Sequence, residues 1–413
     1  MNALYRSLFQ RFIRRGALEA VDAAGETIVV GDGTGNRVRI RFTSPAAERQ
    51  VVLNPALGLG EAYMDGGLVI EAGTIHDLVT LLLVNYRELQ KTGWMEAIRR
   101  LRGATRVIAP FNNPLRSRRN VHSHYDLDGR LYSLFLDEDR QYSCAYFEPG
   151  NTDLDAAQLA KKRHIAAKLR IEPGMRVLDI GSGWGGLGLY LAGLDKRIDV
   201  TGVTLSDEQF TVSNRRAKEQ GLDGRVRFLL EDYRATKGPF DRIVSVGMFE
   251  HVGLKSYPEF FDAVARLLSD DGIALIHTIG DRGLPGPINP WMRKYIFPGA
   301  YLPTIGELGP PIARAGFWMT DLEIWRLHYA ETLAAWYQRF QARRAEAAAL
   351  YDERFCRMWE FYLQLCEAAF RVGDLVLFQM QLSKKIDAVP VTREYMYRPQ
   401  TLPPQKKRLE LIR

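Results

Sequence analysis

The sequence predicts an α/β protein with two parts: an open, mostly parallel sheet flanked by helices, and a smaller α+β domain before it. Two observations lead to this fold class. At 413 residues the chain is longer than a typical single domain, and its composition, 46% hydrophobic and 25% charged, is that of a globular protein. From about residue 176 short apolar strands alternate with helices, as a parallel sheet requires because each pair of parallel strands needs a crossover.

The smaller domain is predicted over residues 1–101. Residues 1–19 place apolar side chains and arginines on opposite sides of one predicted helix, which could lie on a membrane, dock a partner or pack on its own domain. Residues 26–52 are β-like, with Arg39 and Arg41 on one strand face and apolar residues on the other. The predicted strands are at 28–30 and 38–42, and the predicted helices at 57–65 and 75–86.

Positive charge concentrates in and around a predicted linker at residues 102–120, which has no periodicity. Residues 1–120 hold 17 Lys and Arg against 11 Asp and Glu, which is +6 of the net charge of +7. Seven arginines and no acid fall between Arg99 and Arg119. Such a block favours an anionic partner, either nucleic acid or lipid head groups, although a solvated basic surface has the same pattern.

Several classes of protein are disfavoured by the composition. No apolar run approaches the roughly 18 residues of a membrane span, and arginines interrupt each apolar stretch near the start, so we expect no signal peptide. The three cysteines have no CxxC spacing, which argues against a disulfide framework or a zinc site. We therefore expect a cytoplasmic protein without a metal site.

The larger domain is predicted over residues 121–390, followed by a polar tail at 391–413. Predicted strands occupy residues 177–180, 199–203, 226–230, 240–246 and 273–277, and predicted helices occupy residues 152–169, 187–194, 207–220, 257–268, 331–340 and 342–371. Residues 281–311 are rich in glycine, proline and aromatic residues, which suits a lid over an active site.

The turn after the first of these strands reads DIGSGWGG, from Asp179 to Gly186. Glycine is needed where the backbone takes a positive φ or passes close to a ligand, and the next helix start offers N–H groups to an anion. A dinucleotide site also fits GxGxxG, but it expects an acid after the second strand, where Thr204, Leu205 and Ser206 stand. An acid before the glycines resembles motif I of the S-adenosylmethionine (SAM) methyltransferases, which favours SAM over NAD or a purely structural turn.

Further cofactor contacts are expected where the next strands end, because open α/β sheets bind ligands at the carboxyl ends of their strands. Residues 204–206 and Gln209 follow the second strand, where the ribose hydroxyls of SAM should lie. Asp232 and Tyr233 follow the third strand, where an acceptor and an aromatic face could hold adenine, although Tyr233 could equally be packing.

Two polar side chains follow the fourth and fifth strands. Glu250 lies within GMFEHVG at 247–253, and His277 begins HTIG. These strands should be adjacent, so the carboxylate and the imidazole could converge above the SAM methyl group. Such a pair can perform acid–base work or hold a small anion that does so. A single histidine at a strand end could also be a hydrogen-bonded core residue.

Together these motifs resemble the cyclopropane-fatty-acyl-phospholipid synthases and the related mycolic acid cyclopropane synthases. The resemblance covers residues 121–390, and residues 1–110 are similar, more loosely, to the extra domain of longer bacterial members. Most members have cysteine where Ser182 stands; both are small, so we expect SAM binding to be kept. The motifs are YSCAYF at 142–147, VLDIGSGWGG at 177–186, GVTLSDEQ at 202–209, FEHVG at 249–253, HTIG at 277–280, YIFPG at 295–299 and HYAETL at 328–333.

The resemblance implies a class I SAM-methyltransferase fold, a Rossmann-like sheet with a helical lid. It implies that a cis alkene in a phospholipid acyl chain attacks the SAM methyl group, and that the resulting carbocation loses a proton and closes to a cyclopropane. In the family a bound bicarbonate takes that proton. Its ligands would be backbone near Cys144, backbone at Ile279, and the side chains of Glu250, His277 and Tyr329. Cys144 is not expected to be a nucleophile, because no base is evidently paired with it.

Four aromatic residues, Phe249, Trp291, Tyr295 and Tyr301, are candidates to line a dry pocket for the cation, and each could also be packing.

The motifs and the resemblance together define the expected cofactor site. The predicted cofactor-binding residues are Tyr142, Ser143, Asp179, Gly181, Gly183, Trp184, Gly185, Thr204, Leu205, Ser206, Gln209, Asp232 and Tyr233.

The resemblance also gives the basic amino-terminal part a purpose. An enzyme acting on phospholipid acyl chains must dock on the bilayer, so we expect peripheral binding to the anionic inner face of the cell membrane. The family suggests a homodimer. A sister enzyme that adds a methyl branch to the same alkene is an open alternative, and a lipid-binding protein without catalysis is another. The Asn/Asp-Pro-Pro-aromatic motif of amino-methylating nucleic-acid enzymes is missing after the fourth strand, so no nucleic-acid partner is expected.

Overall fold

The computed structural model describes residues 3–90 and 129–397. The predicted boundary at residue 101, the linker at 102–120 with its arginines, and the end of the tail beyond residue 397 therefore lie outside the described residues. The described chain contains a four-stranded sheet and a seven-stranded sheet.

The four-stranded sheet is formed by the first 90 residues. Its strands are β1 (Ala17–Val21), β2 (Thr27–Val30), β3 (Arg37–Phe42) and β4 (Leu68–Ala72), accompanied by helices α1 (Ala3–Phe12), α2 (Pro45–Leu53), α3 (Pro55–Met64) and α4 (Ile75–Gln90). The order is β2-β1-β3-β4, with β1 antiparallel to β2 and parallel to β3. β1 thus separates the two predicted strands, which do not form a hairpin with each other.

Two predictions for this part were wrong. The helix predicted over residues 1–19 ends at Phe12, because Gly16 takes a φ of +96° and β1 begins at the next residue. Residues 45–52, within the stretch expected to be β-like, belong to α2, because Ser44 accepts a hydrogen bond from the Ala47 N–H and Pro45 starts the first turn.

The basic face of β3 is neutralised within the sheet. Arg39 donates to Glu19 at 2.6 Å and to Glu71 at 2.9 Å, and Arg41 donates to Glu71 at 2.5 Å. The described residues 3–90 hold nine arginines against ten acids. The positive charge of residues 1–120 therefore comes from residues 91–120.

The seven-stranded sheet has the predicted class I Rossmann-like architecture. Its strands are β5 (Arg176–Ile180), β6 (Asp199–Thr204), β7 (Val226–Leu230), β8 (Phe240–Val246), β9 (Leu268–Asp281), β10 (Trp318–Ile324) and β11 (Leu375–Ser383). The order is β10-β11-β9-β8-β5-β6-β7, and β5 to β9 are parallel. β11 lies antiparallel between β9 and β10. From β5 the strand order runs to β6 and β7 on one side and to β8 and β9 on the other. β5 is therefore at the switch point of the sheet, which is where such sheets bind ligands.

Helices cover this sheet and extend beyond it. They are α5 (Gly129–Phe135), α6 (Leu154–Leu169), α7 (Gly186–Leu194), α8 (Asp207–Glu219), α9 (Tyr257–Leu267), α10 (Pro290–Tyr295), α11 (Ile305–Arg314), α12 (His328–Ala342), α13 (Arg344–Leu350), α14 (Glu353–Arg371) and α15 (Glu394–Tyr397). The helix predicted over 342–371 is broken before α14, because Asp352 caps a new helix by accepting from the Phe355 N–H at 2.6 Å.

The amino-terminal part packs through α3 on α10, a helix within the stretch predicted to form a lid. The Trp291 Nε1–H donates to the Met64 Sδ at 3.2 Å. One oxygen of Glu61 accepts from Lys294 Nζ at 2.6 Å and from the Tyr295 hydroxyl at 2.7 Å. The two parts share one hydrophobic core, which joins β1 and β3 to the aromatic residues of α12 and α14.

Across residues 3–90 and 129–397, none of the helices combines the length and the apolar character needed to cross a bilayer. The same residues contain no group of three or more His, Cys, Asp or Glu side chains suited to a metal ion.

Candidate active site

The glycine-rich turn between β5 and α7 forms one wall of a cavity. Gly181, Gly183 and Gly185 have φ values of +81°, +54° and +82°, where side chains other than glycine are strained. A Cβ added at Gly181 would lie 2.7 Å from the Met248 Cβ, so there is also no room for a side chain at this position. The predicted requirement for glycine is met at this turn.

The cavity opens at the carboxyl ends of β5 to β8, at the edge expected for a nucleoside ligand. Eleven of the thirteen predicted cofactor residues line it; the other two are Gly185 and Ser206. The lining residues include Arg140, Gln141, Tyr142, Ser143, Asp179, Gly181, Gly183, Trp184, Thr204, Leu205, Gln209, Glu231, Asp232, Tyr233, Met248 and His251.

Gly185 and Ser206 shape the helix starts behind the cavity instead. A Cβ at Gly185 would lie 2.8 Å from Phe228 and from Ser213, so this glycine permits close packing on the far side of the turn. Ser206 caps α8 by accepting from the Gln209 N–H at 3.3 Å. Their role as direct cofactor contacts stays a prediction.

Asp179 presents an unpaired oxygen to the cavity. Its Oδ2 is buried and has no hydrogen-bond partner among the described residues. Burial raises the pKa of Asp179 to about 7, against the opposing effect of the positive charge of Lys161. A cationic ligand would stabilise the ionised form of this carboxylate, because a positive charge offsets the cost of its desolvation.

Lys161 is a functional residue that the sequence reasoning missed. It is fully buried on α6, and its Nζ donates to Gln141 Oε1 at 2.7 Å and to Ser143 Oγ at 2.8 Å. It therefore holds the chain segment that forms one wall of the cavity. Lys161 and Lys168 are seven residues apart, which places both on the buried face of α6, but this spacing alone does not distinguish them from solvated lysines.

The predicted adenine contacts behave differently from each other. Both oxygens of Asp232 are already bound, since Arg234 donates from Nε at 2.8 Å and from Nη2 at 2.7 Å. Tyr233 is half-buried and packs edge-on against Phe260, with the ring centroids 5.5 Å apart. Its ring still lines the cavity, so an aromatic face is available there.

Glu250 lies in a 3-10 turn, Phe249–His251, directly after β8. Its Oε1 accepts a hydrogen bond from the Ile279 N–H at 2.6 Å, whereas its Oε2 is buried without a partner in the described chain. Burial raises the pKa of Glu250 to about 7, although the Ile279 N–H opposes that effect. The Ile279 N–H thus orients Glu250, and the role of the Ile279 backbone as an anion ligand stays a prediction.

His277 lies on β9 beside the end of β8, where it is paired in register with Val246. Its Nε2 is buried and has no partner within the described residues. Burial lowers the pKa of His277 well below its usual value, and the charges of Lys161 and Lys168 act in the same direction. The ring is therefore a neutral imidazole. The adjacency predicted for the fourth and fifth strands is confirmed.

The remaining predicted ligands surround the same region. Cys144 is fully buried in a small cluster with Trp325 and Leu377, and Ile279 and Tyr329 pack against that cluster. The ring of Trp325 meets His277 edge-on at 5.1 Å. Burial raises the pKa of the Cys144 thiol, which leaves it un-ionised and agrees with the expectation that it is no nucleophile.

The four aromatic candidates for a cation pocket are packing residues here. Phe249 and Trp291 are fully buried, Phe249 stacking on Tyr257 with centroids 4.4 Å apart. The hydroxyls of Tyr295 and Tyr301 donate to Glu61 and Glu307, each within 2.7 Å. None of the four lines the cavity beside the glycine turn.

Two chemical features thus lie beside each other at the ends of β5, β8 and β9. One is an open cavity with a carboxylate and a glycine bend. The other consists of two buried polar atoms, Glu250 Oε2 and His277 Nε2, each without a partner within the described chain. Buried polar atoms are normally hydrogen-bonded, so these two atoms have free capacity for a small polar ligand.

Comparison with known proteins identifies relatives over most of the chain. The model of the mycolic acid cyclopropane synthetase family matches residues 113–380, and a domain family of unknown function matches residues 5–91. The cyclopropane-fatty-acyl-phospholipid synthase of Escherichia coli (strain K12) is 41% identical over 350 residues, covering 84% of this chain and 88% of that protein. The tuberculostearic acid methyltransferase of Mycobacterium tuberculosis is 35% identical over 362 residues, covering 82% of each.

Solved structures agree with this assignment. The cyclopropane synthase MmaA2 from Mycobacterium tuberculosis superposes with a TM-score of 0.61 at 35% identity, covering 65% of this chain and 98% of that one. The mycolic acid cyclopropane synthase CmaA1, complexed with SAH and CTAB, has a TM-score of 0.60 at 35% identity, covering 64% and 97%. The chain therefore belongs to the mycolic acid cyclopropane synthetase family of SAM-dependent enzymes.

Proposed function

We propose that this enzyme transfers a methylene group from SAM to the cis double bond of an unsaturated acyl chain in a phospholipid, forming a cyclopropane ring. The observation that carries the proposal is the unpartnered pair, Glu250 Oε2 and His277 Nε2, buried beside the glycine-bend cavity. The 41% identity to a cyclopropane-fatty-acyl-phospholipid synthase supports the choice of substrate.

The cavity residues suit the three parts of SAM. SAM supplies the methyl carbon when it is bound. Asp179 can pair with the ammonium of its methionine part, and the glycine bend allows the close approach of the ligand. Thr204 and Gln209, which bond each other at 2.8 Å, can turn to the ribose hydroxyls, and Tyr233 can cover adenine.

The unpartnered pair suits a small oxyanion such as bicarbonate. Glu250 Oε2 can accept a hydrogen bond, and Tyr329 packs against the cluster of Cys144, Trp325 and Leu377, whose Trp325 contacts His277. Bicarbonate, when bound there, would supply the base for the proton lost from the transferred methyl carbon. The residues themselves orient this base and exclude water, which protects a carbocation from quenching.

Mass spectrometry of lipids from cells that express the chain tests the proposal. The lipids should gain one CH₂ per modified acyl chain, and Glu250→Gln should abolish this gain while leaving SAM binding largely intact. Glu346→Gln, which changes an exposed carboxylate paired with Arg343, is the control and should retain the product. Loss of both product and SAM binding in Glu250→Gln would contradict the assigned role.

A methyl-branched product is the second candidate. It is favoured by the 35% identity to the tuberculostearic acid methyltransferase over 82% of this chain. Both products add one CH₂, so mass alone does not separate them. Mild catalytic hydrogenation should leave the product mass unchanged if a ring has formed, whereas a branched alkene would take up hydrogen.

We also propose peripheral binding to the anionic inner face of the cell membrane through the arginine block. Neutralising Arg116, Arg118 and Arg119 should weaken binding to anionic vesicles about a hundredfold, since each basic residue near the surface contributes about 1 kcal/mol. The control changes Lys196, Arg197 and Arg215, three exposed basic residues of the described catalytic part. Equal binding to anionic and zwitterionic vesicles would contradict the proposal.

We also propose a homodimer as the working assembly, which sedimentation equilibrium of the purified protein tests directly. A single species of about 47 kDa, the mass of one chain, would contradict it.

A further inference from the structure

Gln379 lies behind His277 and has no role in the ligand set considered so far. It is fully buried on β11, directly opposite His277 in the antiparallel ladder with β9. Its Nε2 lies 3.2 Å from the His277 Nδ1. Residues directly opposite in such a ladder point to the same face, so the register of β9 and β11 fixes this contact.

The His277 ring can carry only one proton. Its pKa is far below the usual range because the ring is buried and two buried lysines, Lys161 and Lys168, act on it. Trp325 packs edge-on against it at an angle of 90°, which leaves the ring little freedom to turn over. A neutral imidazole has one nitrogen that donates and one that accepts.

The orientation of the Gln379 amide relates directly to the position of that proton. With Nε2 of the amide placed at His277 Nδ1, the amide N–H donates to a lone pair on Nδ1, and the ring proton is on Nε2. The other amide atom, Gln379 Oε1, is buried without a partner within the described residues, so this amide orientation is part of the inference. Nε2 is the ring atom that has no partner within the described residues. In this tautomer the ring offers an unpartnered donor, and Glu250, whose Oε1 is held by the Ile279 N–H two residues along β9 from His277, offers an unpartnered acceptor at Oε2.

We propose that Gln379 is a positioning residue that fixes neutral His277 as its Nε2–H tautomer, so that the ring donates a hydrogen bond to the bound anion and does not take the proton itself. This inference rests on the proposed function. It assigns complementary roles: His277 donates, and Glu250 accepts. A bicarbonate ion has both an acceptor oxygen and a hydroxyl donor, so it can satisfy both residues, whereas a simple acceptor such as chloride can satisfy only His277.

Nitrogen-15 NMR of protein labelled at histidine measures the tautomer directly, without any turnover. In the unmodified protein, His277 should show a protonated, pyrrole-type Nε2 and an unprotonated, pyridine-type Nδ1. The His277→Gln variant identifies its signals among the seven histidines of the chain by their loss. A pyrrole-type Nδ1 in the unmodified protein would overturn the inference, whatever any variant does.

Gln379→Glu provides the complementary test, because a carboxylate in the same place accepts from Nδ1 and should draw a proton to it. Gln381→Glu is the matched control: Gln381 is two residues along β11, equally buried, and bonded to the Lys168 carbonyl and the Tyr395 hydroxyl. An Nδ1 that stays unprotonated in Gln379→Glu from about pH 6 to about pH 9 would overturn the inference. So would the same change in Gln381→Glu.

A kinetic measurement separates positioning from general damage to the fold. Gln379→Leu should raise the bicarbonate concentration needed for half-maximal rate by about tenfold, a loss typical of removing the partner that orients a ligand. The KM for SAM should stay unchanged. An equal rise in both would indicate a structural role only and overturn the inference. If the unmodified protein forms no alkylated lipid, the proposed function fails, and the tautomer still reports on Gln379.

Discussion

The affinity for SAM should fall as the pH drops below about 7, because Asp179 must be ionised to pair with the ammonium of the ligand. Burial raises the pKa of Asp179 to about 7 in the free protein, so the group is protonated below that pH and ionised above it. A cationic ligand favours the ionised form. Binding therefore lowers the pKa, and affinity is lost as the solution becomes more acidic.

The size of the effect follows from linkage. If only ionised Asp179 binds, the Kd for SAM rises about tenfold per pH unit below 7, which is about 25-fold between pH 7.5 and pH 5.5. Titration calorimetry over that range measures the slope. Release of one proton on binding, measured in buffers of different ionisation enthalpy, provides an independent check.

Two variants show whether Asp179 is the source of the slope. Asp179→Asn should bind SAM weakly and with no pH dependence in this range. Glu250→Gln removes the other carboxyl with a pKa near 7 and should keep the slope. A flat Kd in the unmodified protein, or an unchanged slope in Asp179→Asn, would refute the reasoning.

Three further predictions concern other parts of the molecule. Gly181→Ala should cost about 1–3 kcal/mol of stability in thermal unfolding, because φ is +81° and the new Cβ would meet a side chain at 2.7 Å. The control Gly193→Ala, in open space on α7, should cost no stability, and an equal loss in both variants would contradict this prediction. Cys144→Ser should keep most of kcat because the buried thiol does not ionise; complete loss would indicate covalent catalysis. Glu61→Gln should lower lipid turnover and Tm but not SAM affinity, since it weakens the contact with the lid helix; unchanged turnover would show that α3 does not position the lid.

Lys161 acts on the glycine-bend cavity in two ways. Its positive charge lowers the pKa of Asp179, and its hydrogen bonds hold Gln141 and Ser143 in the cavity wall. Because two functions converge on one ammonium group, its removal should affect both SAM affinity and the pH at which affinity is lost.

The parallel core of the sheet could be predicted from sequence because buried parallel strands are continuous apolar runs between polar turns. β7 and β8 have the predicted bounds for this reason. β9 is longer than predicted, since residues 268–272 contain two aspartates and a glycine and resemble a turn. β10 and β11 were not predicted, because β11 carries two glutamines among its apolar residues.

The residues of the site likewise divide into those that the sequence could predict and those that it could not. Asp179, Glu250 and His277 could be named from sequence because they lie at or just beyond the ends predicted for strands that meet at one edge of the sheet. Lys161 and Gln379 could not, because a polar residue inside a helix or strand is recognised as functional only from what it faces across the fold. The pairing of Ile279 with Glu250 is likewise a tertiary contact without a local sequence signal.

The position of β11 has a consequence for how the protein is made. β10 emerges from the ribosome before β11, yet in the sheet β11 lies between β9 and β10. Until residues 375–383 have been translated, β9 and β10 cannot be bridged, and His277 lacks the neighbour that faces it across the ladder. The strands β5 to β8 that line the cavity are therefore complete in a nascent chain well before the strand that carries the partner of His277.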